Sequence, residues 1–254
     1  VVNKNTYLNN WLSEGNRQEI ILRNQTRRAL NAFVMQYARA YESSVVSVGE
    51  DILLRDHRER IQSILEKRYK YIIPRFSKFT LDGFGEDITK AEKDILINTQ
   101  SQLTQEYIEN NAAQKAIGIA DTSIKKIRER VGLGVSDGLG ISEIASNIRG
   151  IKSINAARSV LIARTEVNAA ANYGSIETAR NAEKEFDIVM EKEWLAVNDS
   201  RTRDTHDRAD GQIVEVSEKF NINGFEADRP LDNSLPADEV INCRCTMLYR
   251  RKRD

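Results

Sequence analysis

From residue 5 to residue 185, apolar side chains recur at steps of three and four, and at Phe186 that rhythm ends. Such a period puts apolar groups on one face of a helix, so most of this chain must bury the stripes of several long helices. After Phe186 the pattern shortens into β-branched and aromatic runs separated by Gly, Pro, Asn and Asp, the texture of strands and turns. The expected fold is mainly α with a small α+β C-terminal module: elongated N-terminal helices followed by a compact domain with short antiparallel strands. We divide the chain into a helical docking region, 1–131, and a module, 132–254.

Within the helical part, residues 5–48 carry Leu8, Leu12, Ile20, Ile21, Leu30, Phe33, Val34, Tyr37 and Tyr41, with no proline and a β-branched end at Val45 and Val46. A second helix is predicted over 50–73, from Ile52 to Ile72. Pro74 should stop it, because its ring clashes with the preceding turn. Phe76, Phe79 and Phe84 lie in a connector, 75–85, and are expected to anchor it into a core. The third helical pattern, 86–131, should break at Gly118 or at Asp121-Thr122-Ser123, which offers an N-cap. Glycines 132, 134, 138 and 140 lack the Gly-Lys-Ser/Thr and preceding strand of a phosphate loop. They read as a turn, with Ser142 capping a short helix over 143–149. The last helix, 153–185, has Ile154, Ala157, Val160, Leu161, Val167 and Ala171 on its apolar side. Arg164 projects from that side and needs a carboxylate or carbonyl partner, since an unpaired buried charge is costly. Ala169, Ala170, Ala171 and Gly174 leave room for another backbone to approach. Beyond them, strands are expected at 188–190, 192–197 and 213–216, a turn at Asp210-Gly211, a loop over 221–238 and a closing strand over 240–249.

Composition narrows the function. Lys plus Arg and Asp plus Glu are 38 each among 254 residues, so there is no global attraction to nucleic acid. Residues 186–254 carry a net −4 and residues 1–185 a net +4. The run Arg250-Arg251-Lys252-Arg253 reads as a phosphate contact or as a solvated end, and the latter is the usual fate of a charge run. Lys125, Lys126, Arg128 and Arg130 form a second, looser basic cluster. No window approaches the ~18 uninterrupted apolar residues of a membrane span. The opening Val1-Val2-Asn3-Lys4-Asn5 is polar rather than a signal peptide. His57, with no second His or Cys near it, reads as a surface or stacking histidine rather than a ligand.

The residues that carry chemistry fall in two legs. One runs Trp194 to Arg208 and holds Asp199, Arg201, Thr202, Arg203, Asp204, His206 and Asp207; the other is Asn242-Cys243-Arg244-Cys245. In an extended segment the two cysteines share one face, spaced ~6.6 Å at Cα, too tight a ring for a relaxed disulfide. Reduced thiols in a cytosol follow. With His206, and Asp204 or Asp207 as a fourth ligand, Cys243 and Cys245 make a recognised zinc combination. The alternative is two buried thiols beside a hydrogen-bonded histidine, and the wide ligand spacing favours it. Asp199 suits an Asx turn, and Arg201 and Arg203 can fork onto carboxylates. Arg164, Glu166, Asp199, Arg201, Thr202 and His206 thus read as a polar network that holds a loop-rich module in shape, with no catalytic residue among them and no cofactor required beyond an optional zinc.

Ala163-Arg164-Thr165-Glu166 on a helix, then Trp194, Asp199-Ser200-Arg201-Thr202-Arg203 with His206, Asp210-Gly211 and Asn242-Cys243-Arg244-Cys245 resemble the phage Mu F-like head morphogenesis family over roughly 140–250. That resemblance implies a minor capsid protein of a tailed phage, present in few copies. It would be associated with the portal vertex and the interior of the virion head, and made in the host cytoplasm. Expected partners are the portal protein, the scaffold or major capsid protein, and packaged DNA without sequence preference; a membrane is not among them. A role in head assembly follows, with DNA packaging or ejection beside it. The other reading is a virion-carried zinc-dependent hydrolase or nuclease, with water on His206, Cys243 and Cys245 and with Asp204 or Glu193 as base.

Overall fold

The computed structural model describes residues 3–43 and 46–253, without the side chains of residues 46–48 and 154. The polar opening at Val1 and Val2, the β-branched end at Val45 and the stripe position Ile154 fall outside that description. Among the described residues the chain is mainly helical, with a few short antiparallel strands in its C-terminal region. The long helices are α1 (Lys4–Glu42), α2 (Val46–Gly83), α4 (Gln100–Ser136) and α6 (Lys152–Phe186), with α3 (Lys90–Asn98) and α5 (Ile141–Gly150) between them. After them come β1 (Met190–Leu195), α7 (Asp204–Ala209), β2 (Ile213–Glu215), β3 (Phe220–Ile222), β4 (Phe225–Ala227), α8 (Ala237–Val240) and β5 (Thr246–Arg251). No helix among the described residues is long and apolar enough to cross a membrane.

Several helix boundaries differ from expectation. Pro74 does not stop α2, and 75–83 is helix rather than connector. A helix-interior proline costs about 3 kcal/mol, but Ile72, Ile73 and Phe76 are fully buried around it at about 1.5–3 kcal/mol each, so packing wins. The third pattern breaks at Thr99 instead of at Gly118 or 121–123. Thr99 turns its hydroxyl onto the Leu96 carbonyl at 2.9 Å. Thr122 and Ser123 donate back to the Gly118 and Ile119 carbonyls, each at 2.9 Å, so these hydroxyls serve the helix they sit in. Gly132 and Gly134 are still helical. The turn starts after Ser136, where Gly138 takes φ +70° and Leu139 donates to the Gly134 carbonyl at 2.9 Å. Glu143, not Ser142, caps α5, accepting from the Gly140 N–H at 2.8 Å.

The chain forms two compact units. One comprises Ile20–Lys67 and Ile108–Ala163. Its core joins Phe33, Val34 and Tyr37 to Ile124, Ile127, Ile144 and Ile148. His57 is buried there, its ring stacked on Phe33 at 4.2 Å and 1°, so it stacks as expected but not at the surface.

The other unit comprises Val1–Glu19, Arg68–Tyr107 and Arg164–Asp254 and holds every strand. Its sheet runs β2-β1-β5, antiparallel throughout, with β1 in the middle. Met190, Lys192 and Trp194 alternate onto the face that packs on Leu81, Phe84, Ile176 and Ala179. The loop expected over 221–238 contains the hairpin β3-β4. Its two-residue turn, Asn223-Gly224, has φ of +54° and +87°, which suits the right-handed twist of the flanking strands. The closing strand starts only at Thr246; Val240 ends α8, and 243–245 lead into β5 without pairing. Gly174 lets α6 close on α2: a Cβ there would sit 2.9 Å from the Ile73 carbonyl oxygen.

Candidate functional site

The two legs come together at the end of the sheet. Between β1 and β2 the chain leaves the sheet, turns at 198–202 and makes α7, which carries His206 inward. On the return, α8 ends and Asn242 takes φ +68° to swing 243–245 toward α7. Asparagine tolerates that left-handed conformation better than most residues. Asn242 is also held from outside itself: its N–H donates to Thr165 Oγ1 at 3.1 Å, and Arg164 Nη1 donates to its Oδ1 at 2.5 Å.

Arg164 has the acidic partner its position requires. Its Nε lies 3.2 Å from Glu19 Oε2, with both side chains mostly buried. Burial pushes the Glu19 carboxyl up and Arg164 pulls it back. Glu166, two residues on, accepts from the Tyr69 hydroxyl at 2.7 Å.

Asp199 joins the legs at the rim. Arg244 forks onto both of its carboxylate oxygens, at 2.8 and 2.5 Å. Arg201 N–H donates to Asp199 Oδ1 at 3.0 Å, and Asp199 N–H donates to Thr202 Oγ1 at 3.2 Å. Arg244 makes the fork; Arg201 reaches the same carboxylate through a single Nη2 contact, 3.4 Å from Oδ2, and Arg203 instead donates to the Ile241 carbonyl. Asp199 is held well below the usual carboxylate range, first by Arg244 and then by the Arg201 N–H.

Beneath this rim, His206, Cys243 and Cys245 are buried, and their ligand atoms all lie within 4.8 Å of one another. His206 Nδ1 is 3.6 Å from Cys243 Sγ and 3.4 Å from Cys245 Sγ. The Cys245 hydrogen bond draws the Cys243 thiol below its ordinary range against the opposing effect of burial, and the same contact pushes Cys245 up. The other ring nitrogen, Nε2, lies 3.0 Å from buried Glu239 Oε2, off the line of an ideal hydrogen bond. Thr205 Oγ1 holds that carboxylate at 2.9 Å, and Asn172 Nδ2 holds the Cys245 carbonyl at 3.0 Å. Trp194 closes the site, edge-on to His206 at 5.6 Å. A small pocket reaches the sulfurs between Val197, Arg201, Thr202 and Arg203.

Asp204 and Asp207 are exposed and outside the cluster. Glu193 also lies outside the cluster, but it is buried and pairs with Lys4 and Arg250. Of the basic run, Arg250 pairs with Glu191, Lys252 with Glu215 and Arg253 with Asp87, while Arg250 and Arg251 extend β5. The end is thus partly strand, not a free tail. Glu19, Glu239 and Arg244 were not singled out from the sequence as partners. Only Arg244 had a signal, its opposite face to two cysteines; the two glutamates reach the legs through tertiary folding alone.

Residues 125–248 match the family described as Phage Mu protein F like protein. The NAD(+)–arginine ADP-ribosyltransferase EFV of Enterococcus faecalis is 35% identical over 130 residues, 50% of this chain and 26% of that protein. The minor head protein GP7 of Bacillus phage SPP1 is 32% identical over 127 residues, 50% of this chain and 40% of that protein. The chain thus spans less than half the length of either relative. No solved structure matches it.

Proposed function

We propose that the chain, whose residues 125–248 match the Phage Mu protein F like family, is a minor head protein of a tailed bacteriophage, acting in head assembly at the portal vertex or head interior. The observation that carries the proposal is the coincidence of the family match with the stapled legs. The family match, 125–248, takes in the two segments that the Arg164 and Arg244 contacts hold in place. A scaffold fixed by arginine forks and carbonyl contacts presents a constant surface, which suits a part placed once in an assembly. The long helices upstream are the surface we assign to the portal protein, with the scaffold or major capsid protein as further contact.

The transferase named among the relatives shares only 26% of its length with this chain. We read the shared part as the module that places such a protein, not as its reactive part. Co-expression with portal, scaffold and capsid proteins tests the proposal. The chain should co-purify with procapsids in a low, fixed number of copies; procapsids that form normally and exclude it would overturn the reading. Incubation with NAD(+) and an arginine acceptor should give no transfer, and transfer would replace this reading by an enzymatic one.

A further inference from the structure

We propose that His206, Cys243 and Cys245 form a zinc(II) site that ties α7 to the segment entering β5, with the fourth coordination position opening into the pocket beside Arg201, Thr202 and Arg203. The distances carry it. Zinc with bonds of ~2.3 Å to sulfur and ~2.0–2.1 Å to nitrogen, at tetrahedral angles, sets each N···S separation at roughly 3.5–3.6 Å. Both observed separations, 3.6 and 3.4 Å, sit at that value. A neutral imidazole has one lone pair in its plane, enough for one thiol donor. Two sulfurs at almost the same distance from the same nitrogen are what a shared centre requires.

The surroundings agree. Glu239, fixed by Thr205, puts a carboxylate 3.0 Å from Nε2; it stands off the hydrogen-bond line, and a small turn of the ring would complete the carboxylate–histidine pair that orients a metal-bound imidazole. With Nε2 protonated toward Glu239, Nδ1 is left to donate its lone pair between the sulfurs. Two thiolates cancel the 2+ charge, so the occupied centre is neutral inside a buried pocket, and binding releases the thiol protons to solvent. The ligands come from segments nearly forty residues apart that pair with few strand partners. A metal there joins what the short strands alone hold weakly, and its binding energy becomes folding energy.

The test uses the full chain. Purified from zinc-supplemented cells and dialysed, it should retain one zinc per chain. Cobalt(II) added to the metal-stripped chain should give thiolate-to-cobalt charge-transfer absorption and the strong visible bands of a four-coordinate ion. Cys245→Ser should lose the zinc. Because that variant can fail to fold, Glu239→Gln is the companion: it keeps all three ligands and should bind zinc about 10–100-fold more weakly with the cobalt spectrum preserved. A folded wild-type chain that takes up neither metal would overturn the site. So would zinc retained by a Cys243→Ser/Cys245→Ser chain, which would place the ion elsewhere.

Discussion

Arg164 anchors the return leg, because it joins a helix face to that leg's left-handed residue, Asn242. Replacing it by alanine strands Glu19 as a buried carboxylate and frees Asn242, whose φ of +68° then rests on the Thr165 contact alone. Removing one partner of a buried pair costs about 3–5 kcal/mol; with both groups here partly reached by water, we expect about 2–3 kcal/mol. Arg251→Ala, on an exposed strand end, should change stability by less than about 0.5 kcal/mol. Denaturant midpoints for the two variants decide it, and equal midpoints would refute the role given to Arg164. His57 offers a second test. Burial, with Arg158 and Arg60 nearby, holds it down at about 4. The unfolded chain therefore takes up a proton near pH 6.5, where the folded one does not. Stability should be full above that pH and fall by a few kcal/mol as pH drops toward 4, a slope that His57→Phe should flatten in that window. That the histidine stacks was legible from its isolation from other ligands; that it is buried was not, because its neighbours Asp56 and Arg58 are charged while the helix turns His57 onto Phe33.

At the scale of elements, periodicity located the long helices and local punctuation misled about their ends. Pro74, Gly118 and the Asp121-Thr122-Ser123 run each carry a genuine local signal, and each was overruled by a stripe that continues through it and finds a core. The hairpin β3-β4 is the reverse case: Asn223-Gly224 is the strongest short-range hairpin signal in the chain, yet the flanking strands of three residues are too brief to show alternation. The close approach allowed by Gly174 was readable from its small neighbours, although the partner, α2, was not. Alanine at Gly174 gains about 1 kcal/mol of helix propensity but puts Cβ against the Ile73 carbonyl, and forcing helices apart costs typically 1–3 kcal/mol. The expected net is a loss of about 1–2 kcal/mol. Gly118→Ala, with nothing within 4 Å of the new Cβ, should instead stabilise α4 by about 0.5–1 kcal/mol. Thermal melts of the pair should move in opposite directions; a shared direction would mean that the α2–α6 contact is not as close as described.

For the molecule as a whole, charge is the property that bears most on what it can accompany. Positive and negative side chains balance at 38 each, and the basic run that sequence offers to phosphate is mostly engaged already: Arg250, Lys252 and Arg253 each face a carboxylate of the same chain. To bind a phosphate, such a residue must leave a surface ion pair, itself worth about 0–1 kcal/mol, while the freed carboxylate then repels the DNA. The gain from releasing counterions is thus partly cancelled at every contact. The logarithm of DNA affinity falls with the logarithm of salt by ~0.9 for each phosphate neutralised. Among the described residues, Arg251 is the member of the run with no carboxylate at ion-pair distance, its charge reaching Glu92 from further off, so the run should contribute a slope of about one or two phosphates and bind weakly at physiological salt. Fluorescence anisotropy of a labelled duplex from low to physiological ionic strength measures this directly. Replacing all four residues with glutamine should shift the curve little. A slope equivalent to four or more phosphates, abolished by that replacement, would mean that the ion pairs open on DNA and that the C-terminal strand is a nucleic-acid surface in its own right.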